Sequence, residues 1–174
     1  PPRSTLFPYT TLFRSLIRDD IGKGVLKYPL VQKLRKGGYD GRGVAVLNGP
    51  GDLKKLLPGA SVTEEKIEIA KEISVIVARN KRGEIKSFPV VEMLFDPAAN
   101  LVDKLICPSS ITAEQSEKAI SLATEIIELL DMEGLLAVEF FVDSQGGVIV
   151  NEMAPRPHNS GHHTIESKLG RAHV

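Results

Sequence analysis

Two short runs near the C-terminus, residues 135–143 and 148–152, alternate in polarity and are joined by Ser-Gln-Gly-Gly. Alternating strands flanking a glycine-containing turn read as an antiparallel hairpin. With Asp143 opposite Val148, stepping back along both strands brings Glu139 opposite Glu152; a tighter turn at Gln145-Gly146 keeps the same register. Directly opposed residues hold their Cβ atoms roughly 4.5–5.5 Å apart, where like charges destabilise. At an effective dielectric of about 20, two unit charges about 5 Å apart repel by roughly 3 kcal/mol. A hard cation removes that penalty, and paired carboxylates suit Mg²⁺ that also holds phosphate oxygens. Glu139 and Glu152 are therefore the candidate metal ligands.

The rest of the chain is compatible with a mixed α+β architecture. Strands are expected over 28–34, 44–48, 72–79, 85–91 and 101–107, and a short helix over 52–57. Residues 112–130 give the clearest helix. Thr112 and Gln115 form a capping-box pattern, and Ala119, Ile120, Ala123, Ile126, Ile127 and Leu130 line one face. Gly134 marks the helix stop. The tail from Ala154 onward, rich in Pro, Gly, Asn and His, reads as a loop.

A chain of 174 residues can form one ordinary domain or two small lobes. Its 22 basic residues offset 22 acidic ones, so nothing points to nucleic acid or to an anionic membrane surface. Cys107 is the single cysteine, which excludes an internal disulfide. No apolar run approaches the roughly 18 residues of a spanning helix, and no signal-peptide core opens the chain. A soluble cytoplasmic protein without membrane or nucleic-acid partners is the expectation. The ends look foreign: residues 1–15 repeat Thr-Leu-Phe without a sustained period, and the closing KLGRAHV is equally out of character. Both are set aside as non-native or disordered tails, 1–15 and 168–174.

Three clusters could carry chemistry. Residues 37–43 read GGYDGRG. Such a glycine-rich loop lets backbone N–H groups approach an anion, although alone it is as readily a plain hairpin turn. It is neither a P-loop nor a dinucleotide fingerprint, because the spacing fails. Lys33, four residues upstream, could reach a phosphate from beneath such a flap. Glu64, Glu65 and Glu72 bracket a short segment able to accept from ribose hydroxyls; singly, each is as readily a surface glutamate. The third cluster, APRPHNSGHH, directly follows Glu152. There Arg156, His158, Asn159 and Ser160 can all donate to a small planar anion, and arginine can do so bidentately. A zinc site from His158, His162 and His163 is a rival reading.

Lys33, the glycine flap, the 64–72 segment, the glutamate pair and NEMAPRPHNSGHHT together resemble the ATP-grasp superfamily. Within it, YPLVQKLRKGGYDGRG, EISVIVARN, AVEFF and NEMAPRPHNSGHHT, in that order, resemble the 5-(carboxyamino)imidazole ribonucleotide synthases of purine biosynthesis. The resemblance covers roughly residues 22–167. It implies a fragment of the ATP-grasp fold, with a lid lobe over 16–70 and an incomplete catalytic lobe over 71–167. It also implies an ATP-dependent ligase that carboxylates aminoimidazole ribonucleotide with bicarbonate, with ATP and Mg²⁺ as cofactors and a homodimer as the parent assembly.

By the same resemblance Lys33 contacts the ATP phosphates, and Gly38, Tyr39, Asp40, Gly41, Arg42 and Gly43 form the flap over them. Tyr39 and Asp40 also face the aminoimidazole substrate. Glu64, Glu65 and Lys66 line the adenine, and Glu72 takes the ribose hydroxyls. Glu139 and Glu152 hold Mg²⁺ with Asn151 nearby, while Arg156, His158, Asn159 and Ser160 hold bicarbonate. Phe95 stands where many members carry an imidazole. A non-catalytic nucleotide-binding module and a sister ATP-grasp ligase are the alternatives; the opposed glutamates argue against the first and His158-Asn159-Ser160 against the second.

Overall fold

A computed structural model describes residues 13–37, 43–96 and 101–165. They divide into two compact units, Pro1–Ile67 and Glu68–Val174. The mixture of helix with antiparallel strands is the α+β class expected.

The first unit holds helix α1 (Arg14–Gly22) and strands β1 (Leu30–Leu34), β2 (Val44–Leu47) and β3 (Ser61–Glu65) in the order β2-β1-β3. Helix α1 opens inside the leading stretch that the sequence sets aside. Ile17 is fully buried with Leu26, Leu30, Leu47 and Leu56, and Arg14 Nε donates to the Leu56 carbonyl at 2.9 Å. The short helix expected over 52–57 is a 3₁₀ turn over Pro50–Lys55.

Strand β3 has no apolar alternation to announce it, because its two inward positions are Ser61 and Thr63. Gln32 satisfies Ser61, whereas the buried Thr63 hydroxyl has no hydrogen-bond partner among the described residues. Gln32 is fully buried, donates to Ser61 Oγ at 2.8 Å and to the Leu57 carbonyl at 3.1 Å, and accepts from Leu57 N at 2.8 Å. A buried amide so fully paired avoids the penalty of an unmade bond. Gly43, at φ +80°, enters β2 and accepts from Leu34 N at 2.8 Å. Gly38, Tyr39, Asp40, Gly41 and Arg42, the centre of the expected flap, lie outside the described residues.

The second unit is a six-stranded antiparallel sheet. It contains β4 (Ile69–Arg79), β5 (Ile85–Ser87), β6 (Val91–Asp96), β7 (Leu101–Ile106), β8 (Gly134–Asp143) and β9 (Val148–Ala154), ordered β7-β6-β4-β8-β9 with β5 also on β4. The single strand expected over 85–91 is two strands. Pro89 lacks the N–H a ladder needs, and β5 and β6 pair with separate stretches of one β4 edge. Helix α2 (Ala113–Leu129) covers one face, packing Ala119, Ala123 and Ile127 onto Ile73, Val75, Val77, Leu136, Val138 and Phe140.

Leu130, expected in that stripe, is 53% exposed because the helix has already ended there. The first positive-φ residue after the helix is Asp131 at φ +45°; Gly134, at φ +106°, starts β8. The Asp131 carboxylate accepts from Arg79 Nη1 at 2.8 Å, which helps hold that conformation. The capping box is formed in both directions: Gln115 N donates to Thr112 Oγ1 at 3.2 Å, and Thr112 N donates to Gln115 Oε1 at 3.0 Å. Thr112→Ala is expected to destabilise the chain by about 1 kcal/mol and Thr112→Ser by much less, measured by urea denaturation. No helix among the described residues is long and apolar enough to cross a membrane.

Candidate functional site

The glutamates meet as expected, but by another route. At the hairpin tip Val142 faces Val148, Phe141 faces Ile149 and Phe140 faces Val150, one residue off the expected Asp143–Val148 register. The Asp143 side chain caps the turn instead, its Oδ1 accepting from Gln145 N at 2.9 Å and Gly147 N at 2.7 Å. Left uncorrected, that register would set Glu139 against Asn151 and turn Glu152 toward the helix-covered face, since a one-residue slip flips each side chain. A bulge at Asn151 takes up the extra residue and restores Glu139 opposite Glu152.

Alternation then collects the polar groups on the face away from α2. Ser74 on β4 lies opposite Glu139 on β8, Ile76 opposite Ala137, and Glu72 opposite Phe141. Glu72, Glu139 and Glu152 therefore share one sheet face. Burial, and then the negative charges of Glu152 and Glu72, push the Glu139 carboxyl up from 4.5 to about 7, with Arg156 pulling the other way. Burial also raises Glu72. Glu139 thus sits where its charge calls for a proton or a cation. Opposed oxygen donors of this kind fit Mg²⁺. Among the described residues no group of three His, Cys, Asp or Glu side chains converges as a metal site. A cation held by Glu139 and Glu152 would therefore complete its shell with phosphate oxygens and water. The same finding disfavours the zinc reading.

The loop after β9 folds back over this face. Arg156 N donates to the Ala154 carbonyl at 2.9 Å, and Arg156 Nη1 to the Pro157 carbonyl at 3.1 Å. The expected irregular loop contains a 3₁₀ turn at Asn159–Gly161, entered through His158. Asn159 Oδ1 accepts from Ser160 N at 2.9 Å. His158 Nε2 lies 3.3 Å from Glu139 Oε1, and His158 Nδ1 lies 3.0 Å from Ser160 Oγ. Burial, and then the Arg156 charge, hold the His158 ring below its ordinary pKa, which favours the neutral ring. Ser160 is fully buried, and its Oγ lies 2.9 Å from Ser74 Oγ. Arg156, His158 and Asn159 also border a cleft of about 520 Å³ whose apolar lining includes Ile76, Phe88 and Leu135.

In the first unit Lys33 Nζ pairs with Glu64 Oε2 at 2.7 Å, a diagonal contact across β1 and β3. Lys66 Nζ donates to Asn48 Oδ1 at 3.0 Å, and Lys66 N to the Pro29 carbonyl at 3.3 Å. Glu65 ends β3 just before it. Phe95 lies half-buried on β6, opposite Val102. The expected site residues are thus gathered in two sets, Lys33, Gly43, Glu64, Glu65 and Lys66 in one unit, and Glu72, Glu139, Asn151, Glu152, Arg156, His158, Asn159 and Ser160 in the other. Sequence reasoning passed over Ser74. Its only signal was a lone hydroxyl two positions after Glu72 in an otherwise apolar run.

One unit thus holds Lys33 and the other the opposed carboxylates. The ATP-grasp domain pattern matches residues 18–169, and the chain belongs to that family. It is 37% identical over 145 residues to N5-carboxyaminoimidazole ribonucleotide synthase of Bacillus subtilis, covering 81% of this chain and 38% of that protein. It resembles the structure of an ADP complex of N5-carboxyaminoimidazole ribonucleotide synthetase, with TM-score 0.80 and 40% identity over 88% of this chain and 41% of the other. A similar enzyme from Aspergillus clavatus, in complex with ADP and 5-aminoimidazole ribonucleotide, gives TM-score 0.73 and 27% identity over 88% and 39%. The chain spans about two fifths of the length of these relatives.

Proposed function

We propose that this chain is the nucleotide-activating part of an ATP-dependent ligase that carboxylates 5-aminoimidazole ribonucleotide with bicarbonate. The observation that carries the reading is the placement of Glu139 against Glu152 beside an Arg156-His158-Asn159-Ser160 loop. One feature supplies oxygen ligands for a divalent ion, the other N–H donors for a small planar anion. Similarity to enzymes named for the carboxylated product supports the substrate assignment. The first unit is proposed as the lid lobe and the second as part of the catalytic lobe of a cytoplasmic protein.

Mg²⁺, held by Glu139 and Glu152 with Asn151 nearby, would neutralise charge on the ATP phosphates. Lys33, which pairs with Glu64, would hold a phosphate oxygen. Residues 38–43 would cover the phosphates with backbone N–H groups. The segment from Glu64 to Lys66 would line the adenine largely through its backbone, and Glu72 would accept from the ribose hydroxyls. Arg156 would grip bicarbonate with its guanidinium fork, and His158 and Asn159 would fix its plane. Ser160 is buried with its hydroxyl beside Ser74 and His158, so its role is to hold the histidine. A bicarbonate oxygen then attacks the γ-phosphorus, the bond to the bridging oxygen breaks, and ADP and carboxyphosphate result. The substrate amine, which Tyr39 and Asp40 are proposed to face, would take the carboxyl group and give up a proton as phosphate leaves. Catalysis of this kind is mainly positioning and electrostatic stabilisation.

The test is ADP formation by the protein that carries this chain. It is expected to require both bicarbonate and aminoimidazole ribonucleotide. ADP formation that ignores bicarbonate, or that runs equally well on formate, contradicts the reading. The 174-residue chain by itself is expected to release phosphate far more slowly than a typical enzyme's roughly 10 s⁻¹; release at that rate would show that substrate capture needs no further segment.

A further inference from the structure

We propose that Ser74, on β4 and outside the anion loop, is a positioning residue that acts through Ser160 to hold the His158 ring in one tautomer. Ser74 and Ser160 are separated by 86 positions in sequence, yet their hydroxyls meet at 2.9 Å and both residues are buried. The next link is Ser160 Oγ to His158 Nδ1 at 3.0 Å. Ser160 N, whose nearer acceptor is Asn159 Oδ1 at 2.9 Å, also approaches that nitrogen at 3.4 Å. A backbone N–H can only donate, so this longer contact favours a lone pair at Nδ1.

On the other side of the ring, Nε2 lies 3.3 Å from a Glu139 carboxylate oxygen. A second lone pair there would face negative charge, whereas an N–H is attracted. Both flanks therefore select the same neutral ring, bare at Nδ1 and protonated at Nε2. The ring is uncharged in either tautomer, so the inference concerns where the proton sits and not whether one is gained.

Ser74 sets the direction of the chain. The Ser160 hydroxyl has one hydrogen, and it is held on Nδ1 when another donor occupies the oxygen's lone pair. Ser74 is placed to be that donor. The bonds then run one way: Ser74 O–H to Ser160, Ser160 O–H to Nδ1, and Nε2–H toward Glu139. The seating of the 3₁₀ turn agrees. A Cβ on Gly161 would lie 2.7 Å from Ile76 Cδ1, so the turn rests directly on β4 at two positions of the same face, Ser74 and Ile76. The consequence, which rests on the functional reading above, is that the ring beside the glutamate pair turns a donor, and not a second lone pair, toward Glu139.

The full chain labelled with ¹⁵N-histidine, at pH 8 with chelator, gives long-range ¹H–¹⁵N spectra that separate the two ring nitrogens. His158 is assigned by its loss in His158→Asn. The wild type is expected mainly as Nε2–H. Ser74→Ala should lower the ratio of Nε2–H to Nδ1–H about fivefold, the worth of one neutral hydrogen bond. Ser74→Thr keeps the hydroxyl and should stay within twofold of the wild type. Should Ser74→Ala not fold, Ser74→Cys, a weaker donor, should fall between the two. A wild type that is mainly Nδ1–H overturns the proposal. So does an unchanged ratio in Ser74→Ala or Ser74→Cys, even with lowered stability, because that is a packing role alone. Absence of bicarbonate-dependent ADP formation would defeat the ligase reading and leave this ratio untouched, so the two failures are distinct.

Discussion

Glu152→Gln is expected to weaken Mg²⁺-dependent ATP binding on the order of 100-fold and to leave metal-free ATP binding nearly unchanged. The variant keeps the shape of the side chain and the β8–β9 register and removes only a charge. Even residues that merely orient metal ligands typically contribute 10–100-fold to metal affinity, and a direct ligand should contribute no less. The effect reaches the nucleotide because, with two protein carboxylates, the ion depends on phosphate oxygens to complete its shell. Titration calorimetry with MgATP, and with ATP plus chelator, separates the two quantities. A wild type that binds ATP equally well with chelator, or a variant that keeps the full magnesium increment, counts against the metal role.

The second large effect is on stability. Glu139 has its carboxyl raised from 4.5 to about 7 in the folded chain. Between those values the folded state keeps a proton that the unfolded state has released. The stability this contributes is therefore fully present below pH 4.5 and is lost as pH rises through 7. The shift corresponds to at most about 3 kcal/mol at 1.36 kcal/mol per unit. Glu139→Gln is neutral throughout, so this part of the pH dependence disappears. Without metal at pH 8 the variant should be more stable than the wild type by about 1–3 kcal/mol, a rise of several degrees in Tm for a chain of this size. MgATP should stabilise the wild type at that pH and do little for the variant. A variant with the wild-type pH slope, or with lower stability at pH 8, contradicts this account of the site.

What could be read from the sequence, and what could not, follows from where the physical signal is local. Helix α2 carries its own start signal in Thr112 and Gln115 and its own stripe of small and branched apolar residues, so it was legible. The β8–β9 pairing was legible because alternation and the turn glycines act over a dozen residues. Its bulge was not, since Asn151 carries no mark that separates it from an ordinary strand residue. The tip register and the bulge erred in compensating directions, which is why the Glu139–Glu152 pairing came out right. Strand β3 was invisible because its inward positions are polar and the side chain that bonds the Ser61 hydroxyl, Gln32, lies 29 residues away. Helix α1 was not read, and its first two residues fell in the stretch set aside; Arg14, whose Nε donates to the Leu56 carbonyl, shows that the end of that stretch belongs to the fold. Asp131 took the left-handed position expected of a glycine, a conformation aspartate tolerates better than most residues, and its carboxylate pairs with Arg79, far off in sequence. Ser74 became significant only when the fold set it against Ser160.

The central claim is that Glu139 and Glu152 hold one divalent ion together with a nucleotide, and Mn²⁺ tests it most directly. With ADP present and Mn²⁺ added below stoichiometry, backbone amide signals should broaden most at 138–140 and 151–153, and Glu152→Gln should abolish that pattern. Broadening centred on another part of the chain, or the same pattern in the variant, would contradict the claim.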